Sequence, residues 1–163
     1  MDGKLRNMTS LYLTRDDSVL CLYRIGSRVA DKMYIGSAGG HFETKELNNA
    51  RACVLREAYE ELGIQEEDLL DLKLRYITLR LKNGEVRQNY YFFATLRENR
   101  YLESTEGQLH WIKFEDVPAL KMPSSAKHMI LHYLHQGRFD EKLYAGVSEE
   151  WGANFAPLAE FDD

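Results

Sequence analysis

The chain is poor in the residues that staple or interrupt a fold, with two cysteines and three prolines in 163 residues. Two cysteines cannot build the disulfide framework of a small secreted domain. Cys21 and Cys53 also lack the close spacing of a metal-binding pair, and both read as small core residues in a reducing cytoplasm. No apolar run approaches the roughly 20 residues that span a bilayer. No repeat, low-complexity tract or proline-rich linker divides the chain. The opening Met-Asp-Gly-Lys-Leu-Arg leads at once into a strand-like segment, so no signal peptide is expected. Positive charge is outnumbered, 21 Lys and Arg against 26 Asp and Glu. A net charge of −5 disfavours a basic groove for nucleic acid, so neither DNA nor membrane is an expected partner. A small phosphate-bearing ligand stays open, provided bound cations supply what the chain lacks.

A hydrophobic content of 44% over this length suits one domain with a real core, expected over residues 1–150 with a tail over 151–163. Thr9–Thr14 and Ser18–Arg24 are β-prone runs joined by an Arg-Asp-Asp turn. Lys32–Ile35 is a brief strand entering a glycine loop. A helix is expected from Leu47 or Asn48 to a cap at Gly63. Leu72–Leu81 and Glu85–Leu96 flank Asn83-Gly84, the dipeptide of a type I′ hairpin. Leu109–Phe114 reads as a strand, Ser124–Gly137 as a helix and Leu143–Val147 as a last strand. The order predicts an α/β fold, a mixed β-sheet between helices.

The chemistry concentrates in the first helix. Glu57, Glu60 and Glu61 stand at i, i+3 and i+4, so three negative charges share one patch. On a helical wheel Leu47, Ala50, Val54, Ala58 and Leu62 form the apolar stripe, and Glu61 falls inside its margin, where a merely solubilising charge is costly. Arg56 is the one cation nearby on that surface and cannot balance the set. Hard divalent cations take such oxygen ligands, so the crowding points to a metal site. His128, His132 and His135, interleaved with apolar residues, read as a polar helix face instead.

Gly40, Glu46, Arg56, Glu57, Glu60, Glu61, Gly63 and Ile64 together resemble the signature of the Nudix hydrolase family, G-x5-E-x7-R-E-U-x-E-E-x-G-U, where U is a bulky aliphatic residue. Ala58 replaces the usual larger aliphatic residue. Nine residues, Leu47 to Leu55, separate Glu46 from Arg56 where the pattern has seven. Either the loop carries an insertion, or Asn48 holds the strict register. The resemblance implies the Nudix fold over most of the chain and a Mg²⁺-dependent hydrolase, Mn²⁺ being possible. Such an enzyme cleaves the diphosphate linkage of a nucleoside diphosphate derivative. A nucleoside triphosphate of the 8-oxo-dGTP type is the leading substrate, with ADP-ribose, dinucleoside polyphosphates and capped RNA as alternatives. A non-catalytic nucleotide-binding domain is the competing class, and a monomer or homodimer is expected.

The resemblance also distributes roles. Gly39, through its carbonyl, and Glu57, Glu60, Glu61 and Glu106 are the expected metal ligands. Glu57, Arg56, Glu106 and Glu46 are the expected catalytic group, Arg56 acting by orienting carboxylates. Arg24 and Arg28 are expected on the phosphates. Gln88 and Asn89, within an alternating polar and aromatic strand, are expected on the rest of the substrate.

Overall fold

A computed structural model describes residues 3–28 and 30–161. Nine strands form one sheet: β1 (Leu5–Arg15), β2 (Ser18–Arg24), β3 (Met33–Ile35), β4 (Ala38–His41), β5 (Leu69–Lys82), β6 (Glu85–Leu96), β7 (Gln108–Lys113), β8 (Tyr144–Glu149) and β9 (Gly152–Pro157). Two helices, α1 (Ala50–Leu62) and α2 (Ser124–His135), cover its opposite faces. The spatial order is β3-β2-β1-β6-β5-β8-β9, with β4 also on β1 and β7 also on β2. The pairs β1–β6 and β5–β8 are parallel and the rest antiparallel, so the sheet is mixed.

Alternation along the central strands splits the core into two layers. Leu11, Leu13, Phe92 and Ala94 meet Val54, Ala58 and Leu62 of α1. Tyr12, Tyr91 and Phe93 meet Met129, Ile130 and Tyr133 of α2, with Phe93 stacked on Tyr133 at 4.0 Å between ring centres. Each buried aliphatic or aromatic side chain of this kind contributes on the order of 1.5–3 kcal/mol. Asn83 and Gly84 both adopt positive φ, 53° and 72°, as a type I′ turn requires.

Three expectations need correction. α1 begins at Ala50, not at Leu47 or Asn48. Asn49 caps it by accepting from the Ala52 N–H, and a 3₁₀ turn over Thr44–Glu46 precedes it. Leu47 therefore stands outside the helix and is 55% exposed instead of joining the apolar stripe. α2 ends at His135, and Gly137 opens a short 3₁₀ turn beyond it. The segment expected to be a tail carries β9, which pairs with β8 from Tyr144↔Pro157 to Glu149↔Gly152. No described helix is long and apolar enough to cross a membrane.

Candidate active site

The glycine loop is a strand. β4 runs against β1 with Gly39↔Ser10 and Gly40↔Thr9 in register. It also approaches so closely that a Cβ on Gly39 would lie 2.2 Å from the Thr9 carbonyl oxygen. A Cβ on Gly40 would lie 2.4 Å from Glu57 Oε1. Only glycines bring this backbone against both β1 and the α1 carboxylates.

Arg56 organises the acidic side chains. Its Nε donates to Glu46 Oε1 at 2.6 Å and its Nη2 to Glu46 Oε2 at 3.1 Å and to the His41 carbonyl at 3.0 Å. Its Nη1 lies 2.9 Å from Glu57 Oε1 and 3.0 Å from Glu60 Oε2. Glu46 is buried at 3% exposure and also accepts from the Glu43 N–H. The Arg56 guanidinium holds the Glu46 carboxyl at about 2, against an ordinary 4.5, and these acids in turn raise the Arg56 pKa. Asn48 is exposed, so the longer loop folds to bring Glu46, not Asn48, onto Arg56.

Glu61 accepts a hydrogen bond from the Gly39 N–H at 3.1 Å. Burial pushes its carboxyl up to about 7, with further upward pressure from Glu57 and Glu106, while Gly39 and Arg24 act downward. Charges on α1, β2 and the loop before β7 are thus felt at one carboxylate. Glu106 is held 3.2 Å from Arg24 Nη2. Its loop is pinned to β2 at Gly107, where an added Cβ would lie 2.2 Å from the Tyr23 carbonyl oxygen. Beside that loop is a hollow of about 700 Å³ lined by Leu102, Thr105, Gln108 and His110.

Not every expected residue joins this cluster. Gln88 and Asn89 lie on β6, opposite Asn7 and Met8, so β1 stands between them and the carboxylates. Gln88 Nε2 donates to the Tyr90 hydroxyl and Asn89 Nδ2 to the Tyr91 hydroxyl, the latter at 3.1 Å. Arg28 is exposed and enters no ion pair among the described residues. Cys53, also on α1, is buried, with Sγ 3.4 Å from Thr9 Oγ1, and burial pushes its thiol up to about 11. Cys53 backs the cluster, in contact with Glu46 and with Arg56 Nη2 at 3.8 Å.

The donor set suits a hard divalent cation: carboxylates from Glu57, Glu60, Glu61 and Glu106, with the Gly39 carbonyl at the same edge. Among the described residues, no three acidic, thiol or imidazole groups already converge at ligating distance. Glu57 is engaged by Arg56, Glu61 by the Gly39 amide and Glu106 by Arg24. Arg56 and Arg24 thereby offset the charge of Glu57 and Glu106.

A mixed sheet between two helices, with a glutamate-rich helix set against a diglycine strand, defines the class of protein. The NUDIX domain profile matches residues 4–133, and the chain belongs to that family. The family includes pyrophosphohydrolases, one of them among the similar solved structures. The MutT protein from Bacillus halodurans superposes with a TM-score of 0.68 at 24% identity, covering 93% of this chain and 97% of that one. A NUDIX hydrolase from Nitrosomonas europaea gives 0.69 at 10% identity, covering 91% and 81%. The dihydroneopterin triphosphate pyrophosphohydrolase of E. coli gives 0.57 at 18% identity, covering 80% and 94%. No curated protein matches the sequence.

Proposed function

We propose that the chain hydrolyses the diphosphate linkage of a nucleoside diphosphate derivative with the help of Mg²⁺, or Mn²⁺ in its place. The observation that carries this reading is the approach of Glu57 and Glu61 to the diglycine edge of β4, with the Arg24–Glu106 pair near enough to be felt at Glu61. Glu57, Glu60, Glu61 and Glu106, with the Gly39 carbonyl, would hold the cation. Bound there, it neutralises phosphoryl oxygens and stabilises the departing phosphate. Water attacks one phosphorus, the bridging P–O bond breaks, and a carboxylate of the cluster accepts the water proton. Arg24, released from Glu106, engages a phosphate. Glu46 and Arg56 are positioning residues here. A carboxyl held near 2 is too acidic to take that proton, whereas a fixed Glu46–Arg56 pair keeps Glu57 in place.

A nucleoside triphosphate such as 8-oxo-dGTP is the first substrate to test, with ADP-ribose and dinucleoside polyphosphates beside it. The reading places the enzyme in the cytoplasm, in keeping with free thiols at Cys21 and Cys53. Purified protein incubated with such a panel and Mg²⁺, with products separated and identified, should release a nucleoside monophosphate. Binding without cleavage of any member would leave a nucleotide-binding domain.

A further inference from the structure

On the α2 side of the sheet, away from the carboxylates, arginines stand in a row. Arg6 of β1 is paired with Arg87 of β6, and Arg87 with Arg80 of β5. Strand alternation puts all three on the face of Tyr12, Tyr91 and Tyr76, beneath the layer that α2 covers. Like charges directly opposite one another in a sheet are destabilising. One carboxylate offsets them: Glu85 lies 3.2 Å from Arg6 Nε and 3.1 Å from Arg87 Nε. Arg80 has no ion-pair partner among the described residues. Three positive charges against one negative leave two uncompensated.

A second observation comes from the neighbouring strand. Leu79 is in register with Val147, so the next residues, Arg80 and Ser148, continue the row onto β8. Ser148 is buried at 6% exposure, yet its Oγ has no hydrogen-bond partner. One row inward, Asn89 Oδ1 is likewise buried and unpartnered. A buried hydroxyl without a partner beside unbalanced guanidiniums is a place prepared for an anion with acceptor oxygens. Two surplus charges match a phosphomonoester, which carries close to two negative charges near neutrality, better than a carboxylate with one. The row lies on the α2 face of the sheet and the carboxylates on the α1 face, so the two places are separate.

We infer that Arg6, Arg80, Arg87 and Ser148 form a second anion site on the α2 face of the sheet, which takes the phosphomonoester of a nucleotide bound there. The inference is independent of the hydrolase reading. Two matched ligand pairs differ by one such phosphate: NAD against NADP, and dephospho-coenzyme A against coenzyme A. Calorimetry in EDTA, where hydrolysis is silent, should show the phosphorylated member of at least one pair binding about tenfold tighter. Arg80→Gln should reduce that preference to about twofold and leave the unphosphorylated member unchanged. Arg97→Gln, at the opposite end of β6, should preserve the preference. Equal affinities in both pairs, no binding by any member, or a preference that survives Arg80→Gln would overturn the assignment. Hydrolysis with Mg²⁺ is scored separately. A preference in binding with no cleavage removes the hydrolase reading and leaves the arginine row standing; cleavage with no preference does the reverse.

Discussion

Replacing Arg56 by methionine tests the centre of the site most directly. The substitution keeps the stem and removes the fork that holds Glu46 at 2.6 and 3.1 Å. The Glu46 side chain, 4% exposed, would then be a buried carboxylate left with the Glu43 N–H and the Cys53 thiol. Breaking a buried pair from one side costs about 3–5 kcal/mol. The depression of Glu46 from 4.5 to about 2, to which Arg56 is the largest contributor beside Glu43 and Cys53, converts at about 1.36 kcal/mol per unit to at most roughly 3 kcal/mol. The two routes agree on about 3 kcal/mol, or a fall in Tm of about 10 °C for a chain of this size. The folded pKa lies below the unfolded one, so this stability is complete above about pH 4.5 and is lost as pH falls toward 2. Urea denaturation of metal-free protein should show the gap between wild type and Arg56→Met narrowing across that window. The double variant Glu46→Gln with Arg56→Met should recover much of the loss, since both halves of the pair are gone. A cost below about 1 kcal/mol, or a gap as wide at pH 3 as at pH 7, would refute the pairing.

Other substitutions separate chemistry from folding. Glu57→Gln should lower kcat by about a hundredfold or more while metal-free Tm stays within a few degrees; undiminished phosphate release would remove Glu57 from the reaction. Gly40→Ala places a methyl 2.4 Å from Glu57 Oε1, and that flexible side chain swings aside at little cost in stability. Activity and Mn²⁺ affinity should fall together, and a fully active variant would contradict the close approach. Glu61, with its carboxyl raised to about 7, binds more protons folded than unfolded between about pH 4.5 and 7, so the metal-free fold loses stability as pH rises through that window. Glu61→Gln should therefore raise Tm at pH 8 and not at pH 4.5, worth about 1–2 kcal/mol after allowance for partial exposure; equal effects at both values would argue against it.

Some elements were legible in the sequence because their signals are local. β2 and β6 occupy Ser18–Arg24 and Glu85–Leu96 as read, since alternation and a two-residue turn fix them within a few neighbours. Gly63 caps α1 in the left-handed conformation, φ 67°, for the same reason. β4 was not legible as a strand. Ala-Gly-Gly-His has little strand preference and is extended because β1, far away in sequence, pairs with it. The start of α1 was misread because Leu47 fits a helical wheel, while the mutual bonding of Glu43 and Glu46 and the Asn49 cap hold residues before Ala50 in another shape. In the site, the spacing of Glu57, Glu60 and Glu61 was visible on a helix, but the meeting of Glu46 with Arg56 depends on how a longer loop folds. The row of Arg6, Arg87 and Arg80 depends on register across three strands, which no single stretch encodes.

The pairing of β5 with β8 imposes an order of events on synthesis. The strand that completes the sheet beside β5 lies far downstream of it, beyond the stretch that matches the family profile. Until it leaves the ribosome, β5 presents a bare row of amides and carbonyls, and Tyr76 lacks the Tyr144 ring on which it stacks at 5.4 Å. Chains cut short before Tyr144 would then meet one another through that uncovered edge, so premature termination would yield aggregates rather than a smaller working enzyme.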